Sequence, residues 1–179
     1  MKFLIGVSIL FSVFFFICPL SQARDTPLDI YKDKNNYFTF RPPPDWKKEE
    51  IITKIASHVN FRSTDGKATL GILAELNGGD LNELFSRKEG SLRNYRLRYP
   101  EGKFVLSRVT LSGRNVVKMD FEIPRVAKQE YYFFYDNGMR FDLVYGVADP
   151  ADFEKYRQVA LDAFSTIQPQ EQIVWPRNK

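Results

Sequence analysis

Thiol and imidazole chemistry are nearly missing from this sequence: its 179 residues hold one cysteine, Cys18, and one histidine, His58. A single cysteine closes no intrachain disulfide, and a lone histidine with so few thiols supplies too few ligands for a tetrahedral zinc site. The spacings HExxH, GxSxG, GxGxxG, the Walker phosphate loop and the calcium-binding EF-hand are all absent. Gly66-Lys67-Ala68 lacks both the upstream glycine and the hydroxyl that a phosphate loop needs. These absences exclude the conventional hydrolase, kinase and dehydrogenase, and no catalytic residue, cofactor or metal is expected. Gly and Pro, ten of each, are too few for collagen-like or low-complexity material, and 44% hydrophobic residues with 27% charged exclude a disordered chain.

What is present begins with a leader. Lys2 precedes an unbroken apolar run from Phe3 to Ile17, then Cys18, the helix breaker Pro19 and the small-residue triplet Ser21-Gln22-Ala23. That is the order of a general-secretory (Sec-type) signal peptide, with cleavage after Ala23 and export to the periplasm or the extracellular space. An uncleaved membrane anchor is the alternative, because the run extended to Leu20 reaches 18 residues, the lower end of a membrane span. A lipid anchor on Cys18 is disfavoured by Phe16 and Ile17, which stand where such signals carry a small residue. The expected division is leader 1–23, N-terminal arm 24–36, folded domain 37–168 and C-terminal tail 169–179. After cleavage no cysteine and no stable membrane span remain, so packing alone must hold a domain exported to a disulfide-permissive compartment. Loss of Lys2 leaves 25 basic against 22 acidic side chains, a net +3, too mild to argue for nucleic acid.

Strand signals dominate the domain. Tyr37 to Arg41 alternates as a strand and is stopped by Pro42-Pro43-Pro44, after which Trp46 is expected to fold back over the core. Ile51, Ile52 and Ile55 mark a further short strand or turn. Asp65-Gly66, Ser112-Gly113 and Asn137-Gly138 each separate two apolar-rich runs, as hairpin turns do, and a longer connection from Pro124 to Lys128 joins the second pair to the third. A two-residue loop at Asn137-Gly138 sets Phe134 opposite Phe141 and Tyr132 opposite Leu143. Tyr131, Phe133 and Tyr135 then occupy the other face, opposite Val144, Asp142 and Arg140. In the Ser112-Gly113 hairpin, Phe104, Leu106, Met119 and Phe121 share one face, and Val105, Val109, Leu111 and Val116 the other. A sheet apolar on both faces needs cover on both, and helices are the available cover.

Two helices are legible. Asp80 opens the first, with Glu83 three residues on, and Leu81, Leu84, Phe85, Leu92, Tyr95 and Tyr99 form its apolar stripe, with Gly90-Ser91 a point of interruption. Asp149 caps the second and Pro150 enters its first turn; Phe153, Tyr156, Ala160, Phe164 and Ile167 form its stripe, and Pro169 is expected to end it. The fold class is therefore α/β (α+β), an α/β/α sandwich with a central, mainly antiparallel sheet covered by helices on both faces.

The strand, prolines and tryptophan from Phe38-Thr39-Phe40-Arg41-Pro42 to Trp46, the hairpins, and the closing helix ending Ala163-Phe164-Ser165-Thr166-Ile167 resemble the PsbP and DcrB superfamily. The likeness covers about Tyr37 to Ile167. It implies an α/β/α sandwich without catalytic apparatus, in a superfamily of extrinsic subunits, adaptors and exported proteins that also includes a nuclear-import factor binding the GTPase Ran. PsbP itself helps retain calcium and chloride at the oxygen-evolving complex, but none of its ion-binding residues can be matched in this sequence.

Two candidate sites follow from the residues themselves. Arg87 to Lys128 holds eleven basic and four acidic side chains, whereas Gln129 to Lys179 holds five basic and eight acidic. Glu83 and Glu89 stand four residues before Arg87 and Arg93, which leaves Arg96, Arg98, Lys103, Arg108, Arg114, Lys118, Arg125 and Lys128 unpaired. Arg96, Arg98 and Lys103 are the candidate docking residues for a protein partner or an acidic envelope surface; a solvated face is the competing reading. Tyr131, Phe133 and Tyr135 are the candidate face of a small-ligand groove, unless a helix packs over them. His58 points away from Val59 and Phe61 and has no catalytic or metal-binding partner in the sequence. Asp120 and Glu122 share a strand face and are expected to form ion pairs with Lys118 and its neighbours rather than to act as an acid–base pair.

Overall fold

The structure is a computed structural model that describes residues 30–53 and 55–171. The leader, its Ala23 cleavage point, Cys18 and most of the C-terminal tail lie outside the described residues. The strands are β1 (Tyr31–Lys32), β2 (Phe38–Phe40), β3 (Lys47–Ile52), β4 (Ala56–Arg62), β5 (Ala68–Glu75), β6 (Lys103–Leu111), β7 (Arg114–Ile123), β8 (Ala127–Asp136), β9 (Met139–Val147) and β10 (Gln168–Pro169). Between them stand α1 (Leu81–Arg98), a 3-10 turn (Pro150–Asp152) and α2 (Phe153–Ser165). Seven strands form one sheet in the order β3-β4-β5-β9-β8-β7-β6, and β1-β2-β10 form a small second sheet. The strand pairings are antiparallel.

Turn chemistry sets the register as the sequence implies. Ser112-Gly113 and Asn137-Gly138 both have positive φ at each residue (51° and 80°, 50° and 74°), the geometry that matches the twist of a tight hairpin. Phe134 accordingly opposes Phe141, Tyr132 opposes Leu143, and Phe133 opposes Asp142. The Asp65-Gly66 turn is wider than a two-residue loop: β4 ends at Arg62 and β5 starts at Ala68, with Gly66 N–H donating to Ser63 O at 2.8 Å.

Two cores lie on opposite faces of the large sheet. The larger is built from Val59, Phe61, Leu70, Phe141 and Tyr145 beneath α2 and the small sheet, whose Tyr31, Phe38 and Phe40 close it. The smaller joins Leu84 and Leu92 of α1 to Phe104, Val117, Phe121 and Phe133. The helices do not face each other through the sheet: α1 lies across β6 and β7, whereas α2 lies across β5 and β9.

Several expectations are corrected. Tyr31–Lys32, expected in a lead-in arm, is β1, and its tyrosine ring sits in the core. Gly90-Ser91 does not interrupt α1, which runs through it; Ser91 Oγ donates to Arg87 O at 3.1 Å, so the hydroxyl is satisfied within the helix. Asp149 caps the 3-10 turn by accepting from Ala151 N–H at 2.9 Å, and α2 begins beyond it at Phe153. Pro169 does not end α2 but stands in β10 opposite Phe38. A proline is tolerated there because the strand is at an edge. Trp46 packs at the margin of the larger core, half-buried, edge-on to Tyr156 with ring centres 6.3 Å apart.

Candidate functional site

The aromatic face is packed rather than open. Phe133 is buried and Tyr131 and Tyr135 border the smaller core under α1. Tyr131 stacks on Phe133 at 5.9 Å, and Lys88 of α1 holds its ammonium 3.7 Å above the Phe133 ring. The Tyr135 hydroxyl accepts from Arg87 at 3.0 Å, and the Tyr131 hydroxyl donates to Gln129 Oε1 at 2.6 Å. Burial pushes the Tyr131 hydroxyl well above the ordinary phenol range. The reason is the apolar stripe of α1, which needs a surface to cover and takes this one.

Beyond Phe133 the same face continues along a ladder row through Asp142 and Leu73 to His58 and Ile51, of which only Ile51 is exposed. Asp142 lies close to Arg140 (2.9 Å), which also pairs with Glu75 at 3.1 Å. Burial raises the Asp142 carboxyl despite the attraction of Lys88 and Arg140, and burial lowers the Lys88 ammonium. His58 is half-buried beside Asn60; burial lowers its imidazole against the opposing bond from Asn60. None of the described residues forms a group of three or more His, Cys, Asp and Glu placed to hold a metal.

Strand alternation divides the three docking candidates. Arg96 and Arg98 are exposed in the last turn of α1, where Arg96 donates to Phe104 O at 3.1 Å and Arg98 lies 5.5 Å from the Tyr99 ring. Lys103 turns to the opposite sheet face, 3.9 Å from Glu122. The structure also corrects the set expected to be unpaired: Arg114 pairs with Asp136 (3.0 Å), Lys118 with Asp120 (2.7 Å) and Glu130 (2.9 Å), and Lys128 approaches Glu122 and Glu154 (3.8 and 3.7 Å). Arg108 lies 4.9 Å from the ring of Phe85. The pairing of Lys118 with Asp120, two residues on along one strand, was expected from the sequence; the other partners are distant in sequence or across the ladder, so i,i+4 counting does not reveal them.

Glu130 is the centre of a buried polar network. It accepts from Lys118, from the Tyr132 hydroxyl at 2.9 Å and, through both oxygens, from Arg157 of α2 at 3.1 and 3.0 Å. Burial alone would raise its carboxyl, but Lys118, Tyr132 and Arg157 together hold it below the ordinary value. An open cleft of about 410 Å³ beside it is lined by Lys103, Glu122, Lys128, Glu154 and Arg157. Charges of both signs in that cleft neutralise one another, so its field favours no ligand of either sign.

A second concavity lies where the C-terminal end of α1 meets the strand ends. It encloses about 270 Å³, walled by Tyr99, Phe121, Ile123, Val126, Val144 and Val147, with Arg62 and Lys67 as its charged lining. Sequence reading missed this site because its walls come from strands and connections spread along the chain from Arg62 to Ala148. The available signal was faint: Val126 is an apolar residue standing off the periodic core pattern, and it is exposed, at 57%.

The layers and the antiparallel strand order define an α/β/α sandwich, and the fold is PsbP-like. The solution structure of cyanobacterial PsbP (CyanoP) from Synechocystis sp. PCC 6803 matches with a TM-score of 0.55 at 10% identity, covering 86% of this chain and 99% of that one. A crystal structure of a protein from Bacteroides thetaiotaomicron VPI-5482 matches with a TM-score of 0.55 at 11% identity, over 80% of this chain and 48% of that one. The matched region of this chain thus spans about half the length of the Bacteroides protein and nearly all of the cyanobacterial one. No family model and no curated protein matches the sequence.

Proposed function

We propose that this chain is an exported, non-enzymatic accessory module of the cell envelope that docks an acidic protein partner through the C-terminal end of α1. The observation that carries this reading is the exposed Arg96-Leu97-Arg98 turn, a large apolar side chain standing in solvent between two guanidinium groups. Such a surface sets an apolar side chain between two arginines, and arginine is among the residues enriched at protein interfaces and their hot spots. Packing of Tyr131, Phe133 and Tyr135 beneath α1 supports docking over a ligand groove on that face. Among the described residues no helix is long and apolar enough to cross a membrane.

Pull-downs from envelope extract are expected to recover a partner at low salt and lose it as ionic strength rises, because exposed charges are screened over about 8 Å in physiological salt. Reversing Arg96 and Arg98 to Glu together with Leu97→Asp abolishes recovery, whereas Lys103→Glu leaves it intact. Recovery that survives the α1 substitutions places recognition elsewhere. The intact mass of the native product tests export: it is expected to correspond to a chain beginning at Arg24, without lipid. A product retaining Met1 contradicts cleavage.

A further inference from the structure

The pocket at the end of α1 has walls that packing alone holds in place. Phe121, Ile123 and Val147 are buried parts of the two cores, so no ligand is needed to form them. Both cations in the described lining are already engaged. Lys67 pairs with Asp152 at 3.0 Å, and Arg62 likewise has an interaction within the protein. The described lining therefore offers a ligand no uncompensated charge. It offers neutral polar groups on its floor instead, in the ladder row Thr69–Gly146–Gln129–Phe121, where directly opposed residues share a sheet face. Gly146 has no side chain, and Gln129 leans over it from β8: its Cγ lies 2.7 Å and its Nε2 3.3 Å from where a Cβ at Gly146 would stand. The Tyr131 hydroxyl holds Gln129 Oε1 at 2.6 Å, which fixes the amide and leaves its NH₂ as the outward donor. Thr69, on the far side of Gly146, adds a hydroxyl to the same floor.

From this arrangement we infer that the pocket binds a small neutral ring compound, with its ring against Tyr99, Phe121 and Ile123 and a carbonyl oxygen accepting from Gln129 and Thr69. The volume sets the size. The enclosed space falls just under the roughly 300 Å³ at which sites for drug-sized ligands begin, which suits one ring or two fused rings and excludes a two-tailed lipid. Two aromatic walls favour a ring over a flexible chain, since rings gain from edge-on or offset contact beyond the area they bury. Charge is selected against, because an ionised ligand would lose its hydration beside Phe121 and Ile123 and find both cations taken. Binding here is independent of the docking reading, because Arg96 and Arg98 are not part of the lining.

Acetophenone, a single ring with one carbonyl, is the probe. Titrated into the ¹⁵N-labelled protein, it is expected to shift the amides of Thr69, Gln129, Val144 and Gly146 saturably. Ethylbenzene, which keeps the ring without the acceptor, binds about fivefold more weakly, the worth of one hydrogen bond. Benzoate, which replaces the ketone by a charge, binds about tenfold more weakly than acetophenone or worse. Gln129→Glu keeps an acceptor for the Tyr131 hydroxyl but removes the NH₂, and with it the advantage of acetophenone over ethylbenzene disappears. Thr69→Val keeps the side-chain shape but removes the hydroxyl, and the same advantage shrinks. The Arg96→Glu/Arg98→Glu protein retains full acetophenone affinity, which separates this site from partner docking. Absence of saturable shifts at those amides overturns the inference, as does equal binding of acetophenone and ethylbenzene, benzoate binding more tightly than ethylbenzene, or a ketone advantage that survives both Gln129→Glu and Thr69→Val.

Discussion

Phe141→Ala is expected to lower the free energy of unfolding by about 3 to 5 kcal/mol, the range for deleting a fully buried aromatic side chain. Phe141 is inaccessible to solvent on β9, a strand flanked on both sides by partners in the seven-stranded sheet. Its ring stacks on Phe134 at 4.9 Å and meets Phe38 of the small sheet edge-on at 6.1 Å. Deletion therefore opens a cavity between the two sheets, where backbone ladders on either side restrain collapse and relaxation recovers little. A single domain commonly has about 5 to 15 kcal/mol of total stability, so the variant should melt at a much lower urea concentration or fail to accumulate. Trp46→Ala should cost less, because that ring is half-buried at the margin. Urea melts of the two variants beside the parent test this ranking; an equal or larger loss at Trp46 would contradict the placement of the core.

Glu130→Ala is the second large effect, expected at about 3 kcal/mol near neutral pH, because removing one partner of a buried ion pair strands the others. The carboxylate is 5% exposed and joins β7, β8 and α2 through Lys118, Tyr132 and Arg157. Without it Lys118 retains Asp120, but Arg157 loses the carboxylate that both its contacts reach. The pH dependence has a definite sign. Glu130 has a carboxyl held below its ordinary value, so its contribution is complete above the ordinary carboxylate range and is lost as pH falls through the lower, folded-state value. Parent and Glu130→Ala stabilities should converge on acidification. Asp142, raised by burial, contributes with the opposite sign and is present in both proteins, so the difference between them isolates Glu130. Melts from pH 7 to pH 3 measure this; a gap that stays constant or widens in acid would show that the network does not hold Glu130 ionised.

The hairpins were legible because their determinants are local. Asn137-Gly138 and Ser112-Gly113 carry the turn geometry in two residues, and period-two alternation then assigns Tyr132 and Phe134 to one face and Tyr131 and Phe133 to the other without knowledge of the rest of the chain. The start of α1 was legible from Asp80, since capping is a contact between residues two or three apart, whereas Asp149-Pro150 marked the 3-10 turn ahead of α2 rather than α2 itself. By contrast, β1 and β10 are two residues each. A period cannot be read over two residues, and these strands exist only because β2 lies between them to pair with. The candidate sites divide in the same way. Exposure of Arg96 and Arg98 follows from their positions off the stripe of α1, but the turning of Lys103 toward Glu122 follows from its place in a ladder.

What the sequence by itself determined is thus the set of hairpins, their registers, the start of α1, the doubly apolar sheet and the resulting sandwich, all expressed in contacts between near neighbours or in strict alternation. Only the tertiary structure decided that α1 covers Tyr131 and Phe133, that α2 lies over the other end of the sheet, that Lys118 and Arg157 converge on Glu130, and that Arg62 and Lys67 meet Tyr99 and Phe121 around one pocket. The physical reason is that these contacts join residues far apart in the chain. Their partners are selected by how two helices divide a sheet that is apolar on both faces, and that division minimises exposed apolar area over the whole molecule rather than within any one segment.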